Sequence, residues 1–190
     1  MEMSKSTTHA SSAPTLALPT DPTRNAVMPA VRTDGVWKVF HQEAEEVEAV
    51  RDVTLTIAPG EFTAIAGPSG SGKTTLLNLI GGLTRPTRGQ IWVAGNELSE
   101  MSNQGLAQLR LEHVGFVFQA YNLLPVLSAM ENAEFPMLLQ GVPAEDRARR
   151  VQELFERTGM TGLEDRRPGK LSGGQQQRVA VVRAVASKPA

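Results

Sequence analysis

Apolar residues recur with a period of two in the early part of the chain and with a period of about 3.6 in the later part. Val36-Trp37-Lys38-Val39-Phe40 reads as a strand from its aromatic and β-branched content. Val53-Thr54-Leu55-Thr56-Ile57 alternates strictly and stops at the turn pair Pro59-Gly60. Phe62 to Ala66, Gln90 to Ala94 and Val114 to Phe118 read as further short strands. Thr74 to Leu83 predicts a helix with Leu76, Leu77, Ile80 and Leu83 on one face. From Tyr121 to Lys170 the pattern turns helical. Its best helix starts near Pro143, carries the stripe Ala148, Val151, Leu154 and Phe155, and stops at Gly159. Glu145–Arg149 and Asp146–Arg150 are placed as i,i+4 pairs on the opposite, solvated face. The last element opens at Ser172, where Ser172-x-x-Gln175 has the form of a capping box. Val179, Val182, Val185 and Ala186 continue its stripe, and Pro189 ends it. A β-rich opening followed by strand, loop and helix predicts an α/β core with an antiparallel layer beside it.

Composition narrows the class without naming a chemistry. The 190 residues are enough for one domain, and 41% hydrophobic with 21% charged residues are globular values. A formal net charge of −1 gives no bulk attraction to nucleic acid or anionic lipid. The absence of cysteine excludes disulfides, zinc–thiolate sites and cysteine catalysis. The sequence has no apolar run of the roughly 20 residues that span a bilayer. Any membrane association is therefore expected through a partner, without direct insertion. Residues 1–30 are rich in Ser, Thr, Pro and Ala and are expected to be disordered, because they bury too little apolar surface. A targeting role for this segment is the competing reading, set back by the lack of a hydrophobic stretch. Trp37 and Trp92 are read as packing residues, since no basic stripe accompanies them.

The chemistry is concentrated in a glycine-rich stretch. Gly67-Pro68-Ser69-Gly70-Ser71-Gly72-Lys73-Thr74 fits G-x-x-x-x-G-K-[ST], and Thr75 follows it into the predicted helix. Its glycines let successive backbone N–H groups converge on an anion, and the helix adds its positive end. Lys73 supplies a point charge for the β- and γ-phosphates, and the Thr74 hydroxyl suits a Mg²⁺ ligand. The pattern alone admits kinases, GTPases, helicases and transport ATPases. The guanine-reading Asn-Lys-x-Asp is absent.

A second motif, Leu171-Ser172-Gly173-Gly174-Gln175, stands about a hundred residues on. By itself it is a capping box on a helix whose N-terminus can hold an anion. In this order and spacing the two motifs resemble the ATP-binding subunits of ABC transporters. The resemblance covers about residues 34 to 190. It implies that Ser172, Gly173, Gly174 and Gln175 close over the γ-phosphate of ATP bound to a second copy, so that dimerisation depends on ATP. Gly115-Phe116-Val117-Phe118-Gln119 is similar to the family's Q-loop, in which the glutamine carbonyl reaches Mg²⁺ or the attacking water. Phe40 stands where the family places an aromatic on adenine, although tyrosine is commoner there. Tyr121-Asn122-Leu123-Leu124-Pro125, Glu131-Asn132 and Pro136-Met137-Leu138 are similar to the branch with lipoprotein-release, macrolide-export and cell-division ATPases.

The resemblance therefore implies a P-loop NTPase core with an antiparallel β layer and a helical subdomain, incomplete at the C-terminus. Residues 31–118 would form the β layer and core, 119–171 the Q-loop and helical subdomain, and 172–190 the signature helix. The implied ligands are ATP and Mg²⁺. The implied partners are a membrane permease and a second copy, with no nucleic acid, at the cytosolic face of the inner membrane. The chain stops at Lys188-Pro189-Ala190, where the family begins the strand carrying its hydrolytic carboxylates. The expectation is thus a fragment of a longer protein, with weak or no hydrolysis and marginal stability on its own. A cell-division or regulatory ATP-binding role and a non-catalytic ATP-binding chain stay open as alternatives.

Overall fold

The computed structural model describes residues 28–42 and 45–189. The expected disordered segment 1–30 lies, apart from Met28 to Ala30, outside the described residues. Strand β1 (Val31–Gln42) pairs antiparallel with β2 (Glu45–Ile57), with Val31 opposite Ile57 and Phe40 opposite Val47. The register shifts near Val36, where Gly35 and Asp52 take φ of 52° and 49°. Buried Thr33 mends the break: its hydroxyl donates to Val53 O and accepts from Leu55 N–H, both at 3.0 Å. Strand β3 (Arg88–Val93) pairs on the other side of β1, and a tight turn at Ala94-Gly95 returns the chain as β4 (Asn96–Glu97). The sheet order is β2-β1-β3-β4, antiparallel throughout.

Among the described residues five α-helices follow or interrupt this sheet. They are α1 (Lys73–Ile80), α2 (Asn103–His113), α3 (Ala129–Leu139), α4 (Ala144–Thr158) and α5 (Gly173–Ala186). Two hydrophobic clusters result. One joins the sheet to α1 and α2 through Val36, Val50, Leu76, Leu79, Ile91, Leu106 and Leu109. The other joins α3, α4 and α5 through Ala133, Met137, Val151, Phe155, Val179 and Val182. The α4 stripe is buried as expected at Val151, Leu154 and Phe155, and Gly159 ends that helix at φ 65°.

Several expectations need correction. Phe62–Ala66 and Val114–Phe118 are extended but pair with no strand among the described residues, because a β ladder requires a neighbour to exchange hydrogen bonds. Helix α1 ends at Ile80, and the buried residues of its face are Leu76 and Leu79. Leu77 and Leu83 are exposed. Val185 of α5 is likewise exposed, whereas Ala184 and Ala186 are buried. The α4 charges pair one residue closer than expected, as Arg149–Asp146 and Arg150–Glu153 at i,i+3. Helix α2 was not foreseen. Its apolar content is slight, only Leu106 and Leu109 are buried, and its clearest signal is the N-cap Ser102, which accepts from Gly105 N–H at 3.1 Å.

Candidate functional site

The glycine loop turns from the extended Phe62–Ala66 segment into α1. Gly72 is the N-cap at φ 84°, and a Cβ there would lie 2.1 Å from Ala49 O. The loop therefore seats directly on the β2 backbone, which only glycine permits. Gly70 bends at φ 80°. Lys73 folds back along its own loop, its ammonium donating to Gly67 O at 2.9 Å and Pro68 O at 2.6 Å, with Ser71 Oγ at 3.4 Å. The helical ladder begins only with Leu76 N–H to Gly72 O at 2.8 Å. The N–H groups of Lys73, Thr74 and Thr75 thus precede it and have no intrahelical acceptor. Orphan donors, the positive helix end and an ammonium converge here, which is the composition of a phosphate cradle.

A cavity of about 380 Å³ opens between this loop and β2, walled by Ala49, Val50, Ile65 and Gly70 to Lys73. Thr74 is exposed beside it, on the second residue of α1. Among the described residues no three His, Asp or Glu side chains gather as a metal site. Thr74 offers a hydroxyl oxygen, a hard donor of the kind Mg²⁺ takes beside the phosphate oxygens of a nucleotide. The residues fit a Mg²⁺–nucleotide.

The second motif forms a complete capping box. Ser172 Oγ accepts from Gln175 N–H at 3.3 Å, and Gln175 Oε1 accepts from Ser172 N–H at 2.9 Å. Leu171 is buried, whereas Ser172, Gly173 and Gly174 face solvent. A Cβ on Gly173 or Gly174 would meet nothing within 4 Å. Nothing in the packing of the described residues asks for glycine at either position.

Ser172 to Gln175, Gln119 and Phe40 supply none of the walls of the cavity at the glycine loop. Gln119 is exposed in a turn closed by Tyr121 N–H to Phe118 O at 3.0 Å. Phe40 is partly exposed on β1, with the Lys38 ammonium 4.9 Å from its ring centroid. Trp92 and Trp37 carry the Arg32 and Arg51 guanidinium groups at 4.8 and 5.4 Å.

Two polar residues that frame this region carried no signal of their role. Asn132 is buried, accepts from Leu124 N–H at 2.7 Å, and donates to Leu124 O, Leu127 O and Ser128 O. It ties the segment after Gln119 to α3. Arg183 of α5 donates to Tyr121 O and Asn122 O, both at 2.7 Å, and burial pulls its guanidinium below the ordinary arginine value. Glu131 of the same Glu131-Asn132 pair completes a capping box with Ser128.

Comparison with known proteins places these features in a family. The ABC transporter family model matches residues 50–190, a span that begins after Phe40. An ABC transporter ATP-binding protein of Thermotoga maritima is 51% identical over 154 residues, 81% of this chain and 66% of that protein. The lipoprotein-releasing system ATP-binding protein LolD of Hahella chejuensis is 42% identical over 85% of this chain and 70% of its own length. The macrolide export ATP-binding/permease protein MacB of Chromobacterium violaceum is 48% identical over 80% of this chain and 24% of that protein. The chain thus spans about two thirds of the first relative and a quarter of the last. Among solved structures, the dimeric post-hydrolysis ATP-binding cassette MJ0796 bound to ADP and Pi superposes with a TM-score of 0.80 at 39% identity. That likeness covers 84% of this chain and 70% of the cassette. A family match over most of the chain, with relatives this similar, makes it a member of the ABC transporter ATP-binding family.

Proposed function

We propose that the chain binds Mg²⁺–ATP through Gly67 to Thr75 and serves as the ATP-binding subunit of an export or membrane-extraction ABC transporter. Lys73 holds the β- and γ-phosphates, and Thr74 and Gln119 are the Mg²⁺ ligands. Gln119 also orients the water that attacks the γ-phosphate. Phe40 stacks on the adenine. Two copies close on each other, each presenting Ser172, Gly173, Gly174 and Gln175 to the ATP on the other. Hydrolysis belongs to the assembled cassette at the cytosolic face of the inner membrane, and an integral-membrane permease is the partner moved by closure. An apolar cavity of about 560 Å³ walled by Leu83, Ala107, Phe118 and Phe135 supports this reading as a seat for a helix of the permease. The relatives named for macrolide export and lipoprotein release support this transport class.

The observation that carries the reading is the pair Gly173 and Gly174. Glycine in the first turn of a helix gives up as much as about 1 kcal/mol of helix propensity. Here no internal contact explains that cost. A group from outside that approaches the helix N-terminus closely does explain it, and the cavity at the glycine loop takes no wall from this chain's own Ser172 to Gln175. Both observations support closure, by a second molecule, of a nucleotide held there.

The test is Gly174→Ala beside Ser172→Ala. Gly174→Ala should leave thermal stability unchanged or raise it by up to about 1 kcal/mol. It should keep monomer ATP affinity and weaken ATP-dependent dimerisation at least tenfold by analytical ultracentrifugation. Undiminished dimerisation, or a loss of monomer affinity by Ser172→Ala equal to that of Lys73→Ala, would refute closure in trans.

A further inference from the structure

The segment Gly115 to Asn122, which carries Gln119, is pinned at both ends to two successive residues of α5. At its start Gly115 lies so close to the helix that a Cβ would sit 2.1 Å from Ala184 O. At its end the Arg183 guanidinium reaches two successive carbonyls, Nη2 to Tyr121 O and Nη1 to Asn122 O, both at 2.7 Å. A planar fork matches two parallel acceptors in a way that a single ammonium cannot. Tyr121 and Asn122 are also two consecutive residues at positive φ, 59° and 47°. Asparagine tolerates that region, but tyrosine does so at a cost that surrounding contacts must offset. The same two residues close the turn around Gln119, through Tyr121 N–H to Phe118 O at 3.0 Å and Asn122 N–H to Ala120 O at 2.7 Å.

We propose that Arg183 is a positioning residue for Gln119: its fork holds the left-handed Tyr121-Asn122 pair, and so locks the Gln119 turn to the helix that presents Ser172. Arg183 stands ten residues after Gly173 on α5, about 15 Å along the axis. The glutamine turn and the signature end of α5 then move as one body, so closure on a second copy's nucleotide carries Gln119 with it. This coupling rests on the Mg²⁺ or water role proposed for Gln119. The clamp itself rests only on the geometry.

The experiment uses the full chain with Arg183→Gln, Arg183→Lys and Gln119→Ala. Hydrogen–deuterium exchange is followed by mass spectrometry, and nucleotide affinity is measured with and without Mg²⁺. Arg183→Gln should speed exchange across residues 116–122 at least tenfold while residues 175–182 stay protected. Arg183→Lys, with charge but no fork, should fall between it and the parent, and it supplies the reading if Arg183→Gln does not fold. Affinity for Mg²⁺-free ATP should be unchanged. The gain on adding Mg²⁺ should shrink by the same factor in Arg183→Gln, Gln119→Ala and the double variant. Unchanged exchange across 116–122 overturns the clamp. A full Mg²⁺ gain in Arg183→Gln beside a lost gain in Gln119→Ala overturns action through Gln119. A full gain in Gln119→Ala overturns the role given to Gln119 instead, and the exchange result then decides the clamp alone.

Discussion

Glu61 follows the turn at the end of β2, where its carboxylate accepts from Ala58 N–H at 2.8 Å and from the Thr63 hydroxyl at 2.9 Å. Those two hydrogen bonds, the backbone one first, hold its carboxyl below the usual carboxylate range. A depressed acid lends its stabilisation above its unfolded value and loses it as pH falls through the folded one. Protection of the Ala58 amide should therefore persist through the ordinary carboxylate range and fail only at lower pH, as an NMR titration would show. Loss at the ordinary value would remove the carboxylate from the turn. The motif glycines divide at this same scale. Gly72 is required by its contact with Ala49 O, whereas Gly173 and Gly174 are required by nothing among the described residues. Residue types and spacing marked all of them alike, because a motif records what is present and not which neighbour demands it. Arg183 and Asn132 were opaque for the converse reason: their partners are backbone carbonyls of distant segments, and a carbonyl has no letter in a sequence.

Elements with their own local signals were readable. Alternation and turn residues marked β2, the Ser172-x-x-Gln175 box marked the start of α5, and Gly159 marked the end of α4. Phe62–Ala66 and Val114–Phe118 were not, since their apolar residues suit a buried strand but the ladder depends on neighbours elsewhere. Helix α1 shows a smaller error of the same kind. Its buried face runs through Leu76 and Leu79, and Gly81 caps it before Leu83 can join. The segment between Gln119 and α3 is held by two side chains, Arg183 at its start and Asn132 further along. Asn132→Leu removes four hydrogen bonds and leaves the Leu124 N–H, among other groups, without its partner. The expected cost is about 2–4 kcal/mol, read as a lower urea midpoint with an unchanged m-value. A change within about 0.5 kcal/mol would mean that Asn132 holds nothing there.

Across the whole molecule, the segment that carries Gln119 runs between the two clusters, and Arg183 ties it to α5 of the second one. An apolar groove of about 580 Å³ lies between the sheet side and α5, lined by Val93, Val114, Val117, Val181 and Val185. Phe62 is 95% exposed, an unusual position for a residue of its size. The phosphate cradle and the signature turn sit on different parts of this frame, which is why the proposed closure calls for a second copy. Everything proposed for the chain begins with that cradle. The decisive measurement is the affinity of the monomeric chain for Mg²⁺–ATP, by equilibrium dialysis, beside Lys73→Ala. Saturable one-to-one binding is expected, weakening at least about tenfold, or roughly 1.4 kcal/mol, when the ammonium is removed. Binding of equal strength in the two proteins would contradict the assignment of Gly67 to Thr75 as the ATP site.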